Sequence, residues 1–197
     1  MRGLYALKPW YSRRLGALVG WARRNRISPD VFTAVGVVAA AAAGLALWRG
    51  WWPLAFVLLA LRLAGANLDG AVARDRGVAR PWGFVLNELG DRTSDLLMFA
   101  GLWALAARLH GPTSTAAILV LVAALAAALP TFVSLAGAGA GAQRRNGGPL
   151  GKTERCLIAV LACALPQWLV WWSLLLIAGS LLTSGLRLAA TRRELAR

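Results

Sequence analysis

Apolar residues fill five long stretches of this chain, 31–48, 53–73, 93–107, 115–141 and 157–186, and the polar residues collect between them. Each stretch approaches or exceeds the roughly 20 residues that a helix needs to cross a bilayer. Ser28-Pro29-Asp30 reads as a cap with proline in the first turn, opening a span at about Val31 that closes near Trp48. Arg49 to Pro53 reads as a tight turn, followed by span two over 54–73, span three over 82–107, and span four over 115–141 with a kink at Pro130. Gly137, Gly139 and Gly141 would admit another helix closely. The stretch 157–186 is too long for one crossing, and Pro166-Gln167 divides it into a short span five and a span six.

Ahead of these spans, Leu4, Leu7, Trp10, Tyr11, Leu15, Leu18, Val19 and Trp21 recur among arginines, which predicts an amphipathic helix over about 4–25 lying in the interface. The expected fold is an all-α integral membrane protein, with six transmembrane helices preceded by an N-terminal amphipathic interfacial helix. Residues 1–26 form the interfacial helix and 27–197 the six-span membrane domain. The basic residues in the first 30 positions extend too far for a signal-peptide leader, so the N-terminus is expected to be retained.

Composition supports the membrane reading, since 58% hydrophobic residues with only 15% charged excludes an ordinary water-soluble globule. Lys and Arg number 22 against 8 Asp and Glu, a net charge of +14 that would suggest nucleic acid in a soluble protein. Here the basic residues cluster at the ends of the apolar runs, so anionic membrane lipids are the expected partners and nucleic acid is not. With six spans and both termini inside, 18 of the 22 basic residues fall on the cytoplasmic side. Only Arg49 and Arg108 fall in outer loops, and Arg62 and Arg92 fall inside spans. The prediction is a multi-pass protein of a bacterial inner membrane, with both termini and the 74–82 loop cytoplasmic. Cys156 and Cys163, seven residues apart in an apolar run, read as small core residues. His110 reads as solvated surface on the outer side.

Five of the eight acidic residues, Asp69, Asp75, Glu88, Asp91 and Asp95, lie between 69 and 95, four of them inside predicted spans. A charge at that depth costs at least about 2.5–3.5 kcal/mol, so it must be offset. One account is purely structural: the acids pair with Arg62 and Arg92 to lock helices together. The stronger one is a metal or substrate site, because Asp69, Asn87 and Asp91 would place oxygen ligands on two facing helices, which suits Mg²⁺ or Mn²⁺. Antiparallel spans two and three that set Asp69 level with Asn87 also set Arg62 level with Asp95, on the same faces. A buried Arg62–Asp95 ion pair below the site is therefore expected.

The spacing Asp69-Gly70-x-x-Ala73-Arg74, eight residues to Gly83, three to Asn87 and three to Asp91 closely resembles the signature of the CDP-alcohol phosphotransferase (phosphatidyltransferase) family, DxxDGxxARx8GxxxDxxxD. The resemblance implies a membrane transferase that moves a phosphatidyl or substituted phosphoryl group from a CDP-alcohol donor to a hydroxyl acceptor and releases CMP. It also implies metal ligands at Asp69, Asn87 and Asp91, a catalytic base at Asp91, nucleotide contacts at Gly70, Ala73, Arg74 and Gly83, and a homodimer. Two acidic positions of the signature differ here, the first being Ala66 and the third Asn87. An amide oxygen ligates a cation more weakly than a carboxylate and a methyl group not at all, so one strong metal, or one completed by the substrate diphosphate, is expected. Asn67 and Glu88 lie one residue from the lost positions, roughly 100° around their helices.

The segment 144–155 is basic, polar and glycine-rich between two spans. It reads either as an ordinary cytoplasmic loop or as a phosphate-binding one, with Lys152 and Arg155 at a helix start whose N–H groups favour anions. Two other functions compete with the transferase: a degenerate homologue that binds nucleotide or lipid without turnover, and a small transporter using the buried carboxylates. The halves 1–98 and 99–197 show no internal repeat of the kind transporters carry.

Overall fold

The computed structural model describes residues 15–196. Every regular element among these residues is helical, with no strand among them. Cα packing divides the chain into two units, one ending at Gly101 and the other beginning at Leu102.

In the first unit, α1 (Gly16–Arg24) carries Arg23 and Arg24 in its last turn. Ala22 is buried against Phe32, Leu68 and Val72, with Leu15, Val19 and Ile27 packed around them, while Leu18 and Trp21 stay exposed. α1 thus has an apolar seat along 15–22, and the portion of the expected interfacial helix before residue 15 lies outside the described residues. The chain turns at Arg26 (φ 52°), and the Ile27 N–H donates to the Ala22 carbonyl at 2.9 Å.

α2 (Pro29–Arg49) begins as its sequence suggests, with the Ser28 hydroxyl accepting from the Asp30 N–H at 3.3 Å and proline in the first turn. It ends at Gly50, whose φ of 79° suits a residue without Cβ. α3 (Trp52–Asp75) returns antiparallel, and α4 (Pro81–His110) follows a short loop. Glycine sets how closely these helices pack. A Cβ on Gly65 would meet the Phe32 carbonyl oxygen at 2.6 Å, and one on Gly101 would collide with the backbone of Gly44. Backbone therefore lies on backbone where α2 crosses its neighbours.

In the second unit, α5 (Thr115–Gly139) is capped by Ser114, whose hydroxyl accepts from the Ala117 N–H at 3.2 Å, and the helix runs on past Pro130. Then come α6 (Lys152–Ala164), a 3₁₀ turn at Pro166–Trp168, and α7 (Leu169–Leu195), which packs mainly on α5. The division at Pro166 matches the sequence reading. Of the three glycines expected to admit a helix, Gly137 alone does so. A Cβ there would meet the Thr191 methyl at 2.9 Å, whereas Gly139 faces open space and Gly141 adopts φ 95° in the turn that ends α5. Both cysteines are buried and neither is in a disulfide.

Among the described residues, four segments are long and apolar enough to cross a membrane: Pro29–Arg49, Trp52–Asp75, Thr115–Gly139 and Pro166–Leu195. Helix α4 has the length, with 30 residues rising about 45 Å, but its ionisable residues lower its hydropathy. At 13 residues, α6 rises only about 20 Å.

Candidate active site

The site residues expected from the sequence on α3 and α4 belong to the first unit. Asp69, in the penultimate turn of α3, is 4% exposed. Its Oδ2 accepts from the Asn87 amide at 2.6 Å and from the Thr33 hydroxyl at 2.8 Å, so three helices meet at one carboxylate oxygen. Oδ1 accepts from the Gly70 N–H. The Asp69–Asn87 contact brings together the two halves of the sequence signature, 18 residues apart in the chain.

Thr33 was not anticipated, although it is the only hydroxyl residue within the apolar run 31–48, and a lone polar group in such a run needs a partner. Gly90 makes its position possible, because a Cβ there would meet the Thr33 methyl at 2.7 Å.

One turn beyond Asn87 on α4, Asp91 is half-buried, with Oδ1 3.9 Å from Arg62 Nη2. Arg62 is 1% exposed and its Nη2 lies 2.7 Å from Asp95 Oδ1, the ion pair expected from helical depth. Arg92 completes the cluster, with Nη1 2.9 Å from Asp95 Oδ2. Its i,i+3 spacing from Asp95 was visible in the sequence. Asn67 donates to the Leu63 carbonyl of its own helix at 2.7 Å, as its offset from the lost Ala66 position implies.

The other expected nucleotide contacts lie near the ends of the same helices. The Arg74 guanidinium folds back over Gly70, 3.1 Å from where a Cβ would stand, and Arg80 lies against Gly83 in ordinary contact. Ala73 is half-buried in the last turns of α3. The loop after α3 is tied down by Arg76, which donates to the Ile27 carbonyl, and by an ion pair between Arg80 and Asp30.

Lys152 and Arg155 lie in the second unit, at the start of α6 as expected. Arg155, however, is 1% exposed, which removes it from the surface of a phosphate-binding loop. The 144–151 loop is stapled instead by Arg187, which sequence reading did not single out. Its guanidinium donates to the carbonyls of Pro130 (2.7 Å), Asn146 (2.9 Å) and Gly147 (2.9 Å). Arg145 pairs with Glu194.

The set at Asp69 is a carboxylate beside an amide and a hydroxyl, which is the hard-oxygen chemistry of Mg²⁺ and Mn²⁺. Turning the Asn87 amide over would present its oxygen on the side that now faces Asp69. Yet no group of three His, Cys, Asp or Glu residues among those described gathers as a metal site. The residues fit one hard cation whose shell the substrate completes, and they do not fit a pair.

A model of the CDP-alcohol phosphatidyltransferase family matches residues 26–182. The chain belongs to that family. It is similar to the inner membrane protein YnbA of Escherichia coli, 28% identical over 187 residues covering 91% of this chain and 90% of that protein. It is also similar to the phosphatidylinositol phosphate synthase of Mycobacteroides abscessus, 34% identical over 180 residues covering 86% and 79%. Among solved structures, the phosphatidylinositol phosphate synthase of Mycobacterium tuberculosis with CDP-DAG bound superposes with a TM-score of 0.75 at 25% identity, covering 91% of this chain and 94% of that one. The same synthase has been solved with manganese and citrate. This phosphatidyltransferase is a membrane enzyme of phospholipid synthesis.

Proposed function

We propose that this enzyme transfers a phosphatidyl or substituted phosphoryl group from a CDP-alcohol, CDP-diacylglycerol in the first instance, to an acceptor hydroxyl and releases CMP. The observation that carries this is the Asp69–Asn87 hydrogen bond, which closes the signature between α3 and α4. In this reading six helices span the membrane, α4 and α6 among them, with α1 in the interface and residues 27–197 as the membrane domain. Both termini and the loop after α3 face the cytoplasm of a bacterial cell, and the enzyme works as a homodimer among anionic lipids.

Asp69, Asn87 and Asp91 would hold one Mg²⁺ or Mn²⁺. The cation would supply charge neutralisation at the donor's diphosphate, making CMP a better leaving group. Gly70, Ala73 and Gly83 leave room for the nucleotide, and Arg74 meets its phosphates. Asp91 takes the acceptor's proton as the acceptor oxygen bonds to phosphorus and the bond from phosphorus to the CMP oxygen breaks. Lys152 draws anions towards the cytoplasmic surface.

The loss of carboxylates at Ala66 and Asn87 favours one other reading, a homologue that binds the nucleotide without turnover. Release of labelled CMP from CDP-diacylglycerol by the purified protein, with Mg²⁺ or Mn²⁺ and a panel of acceptor alcohols, separates the two. Metal-dependent nucleotide binding with no CMP release for any acceptor supports the second.

A further inference from the structure

We infer that the site is built for a single divalent cation and that Arg62 is the resident positive charge that makes a second one unnecessary. This rests on the transferase reading above and goes one step beyond it.

Residues 62, 66 and 69 fall on one face of α3, at offsets of four and seven. On that face the first acidic position of the signature is the methyl of Ala66, and one turn before it stands the guanidinium of Arg62. Arg62 Nη2 reaches Asp95 Oδ1 at 2.7 Å, the Asp91 carbonyl at 3.5 Å and Asp91 Oδ1 at 3.9 Å. Asp95 is held from its other side by Arg92. Asp95 is thus bracketed by two arginines, and Asp69 and Asp91 remain as the carboxylates facing the substrate.

The charges decide how many cations this cluster can take. Asp69, Asp91 and Asp95 against Arg62 and Arg92 leave one net negative charge. A single divalent cation brings that to +1, which one substrate diphosphate more than offsets. A second would leave the cluster and that diphosphate at +1 in a buried setting, whereas without the charge of Arg62 two cations would just neutralise them. An arginine stays protonated at any physiological pH, so its charge is permanent. Through the Asp91 carbonyl it also fixes α4 against α3 at the level of the base. Arg62 is therefore a positioning residue: it touches neither donor nor acceptor, and it acts through Asp91 and through the field it sets at the cation.

The test counts Mn²⁺ bound per chain by electron paramagnetic resonance of the purified full-length protein in detergent with saturating CDP-diacylglycerol and no acceptor. The expected result is one Mn²⁺ per chain. R62K retains that stoichiometry and affinity within about threefold. R62Q, which removes the permanent charge, tightens Mn²⁺ at least about tenfold or admits a second ion, a gain that loss of a purely structural residue would not produce. If R62Q does not fold, A66D, which shifts the net charge by the same one unit through the first acidic position of the signature, is expected to tighten Mn²⁺ or admit a second ion. Two Mn²⁺ per wild-type chain overturns the inference and leaves the transferase reading standing. Unchanged or weaker Mn²⁺ binding in folded R62Q, or in A66D where R62Q does not fold, overturns the role of Arg62. No Mn²⁺ binding together with no CMP release overturns both readings.

Discussion

Arg62 on α3 and Asp95 on α4 form a buried ion pair at 2.7 Å, about two helical turns along from the Asp69–Asn87 contact between the same two helices. The two contacts lie seven residues apart on one helix and eight on the other, so the helices stay in register along this length. Removing one partner of a buried pair leaves the other charge uncompensated, at a typical cost of about 3–5 kcal/mol. Asp95→Ala should therefore lower the thermal midpoint more than the double Arg62→Leu/Asp95→Leu, with activity tracking folded yield. Equal stability of Asp95→Ala and wild type would contradict a bracing role.

Asp91 lies one turn from Asn87, on the face directed at the site. Asp91→Asn should lower CMP release by about 10²–10⁴ and leave CDP affinity within about tenfold, measured by turnover and calorimetry on the same sample. A parallel loss of Mn²⁺ affinity would place its carboxylate among the ligands as well. Turnover at the wild-type rate would exclude it from the chemistry.

Gly90 is where Thr33 reaches Asp69, and an added methyl would stand 2.7 Å from the Thr33 methyl. Gly90→Ala is expected to separate α2 from α4 at the site and weaken metal-dependent CDP binding. Overpacking of this kind costs typically about 1–3 kcal/mol, read as a fall in melting temperature. Thr33→Val, which keeps the shape and removes the hydroxyl, should leave the packing intact and affect binding alone.

Most of the fold was legible because membrane helices announce themselves twice, by length and by what ends them. Ser28-Pro29, Gly50 and Pro166 each stand at the boundary their chemistry predicts. Helix α4 was legible by motif rather than by hydropathy, since the residues that make the site also dilute its apolar run. The Arg62–Asp95 pair followed from helical rise alone. What the sequence hid was contact across the bundle. Thr33 and Arg187 were overlooked because a lone threonine, or an arginine near a helix end, has an ordinary meaning until its partner is known. Arg155 had the right spacing for a surface phosphate contact, but the face of α6 it occupies is turned inward.

Arg187 donates to three backbone carbonyls from two segments, and lysine cannot reproduce that planar fork. Arg187→Lys should release the 144–151 loop, seen as faster tryptic cleavage after Arg144 or Arg145 with little change in CDP affinity. Cleavage at the wild-type rate would mean that Leu150, whose N–H donates to the Thr183 hydroxyl at 3.1 Å, suffices to hold the loop.

The most direct test of the central claim is CMP release from CDP-diacylglycerol by the purified enzyme, with Mn²⁺ and a panel of acceptor alcohols and their phosphates, against the same reaction with chelator. The account predicts metal-dependent CMP release with at least one acceptor, abolished in Asp69→Ala. CMP release that persists undiminished in chelator, or in Asp69→Ala, would contradict it.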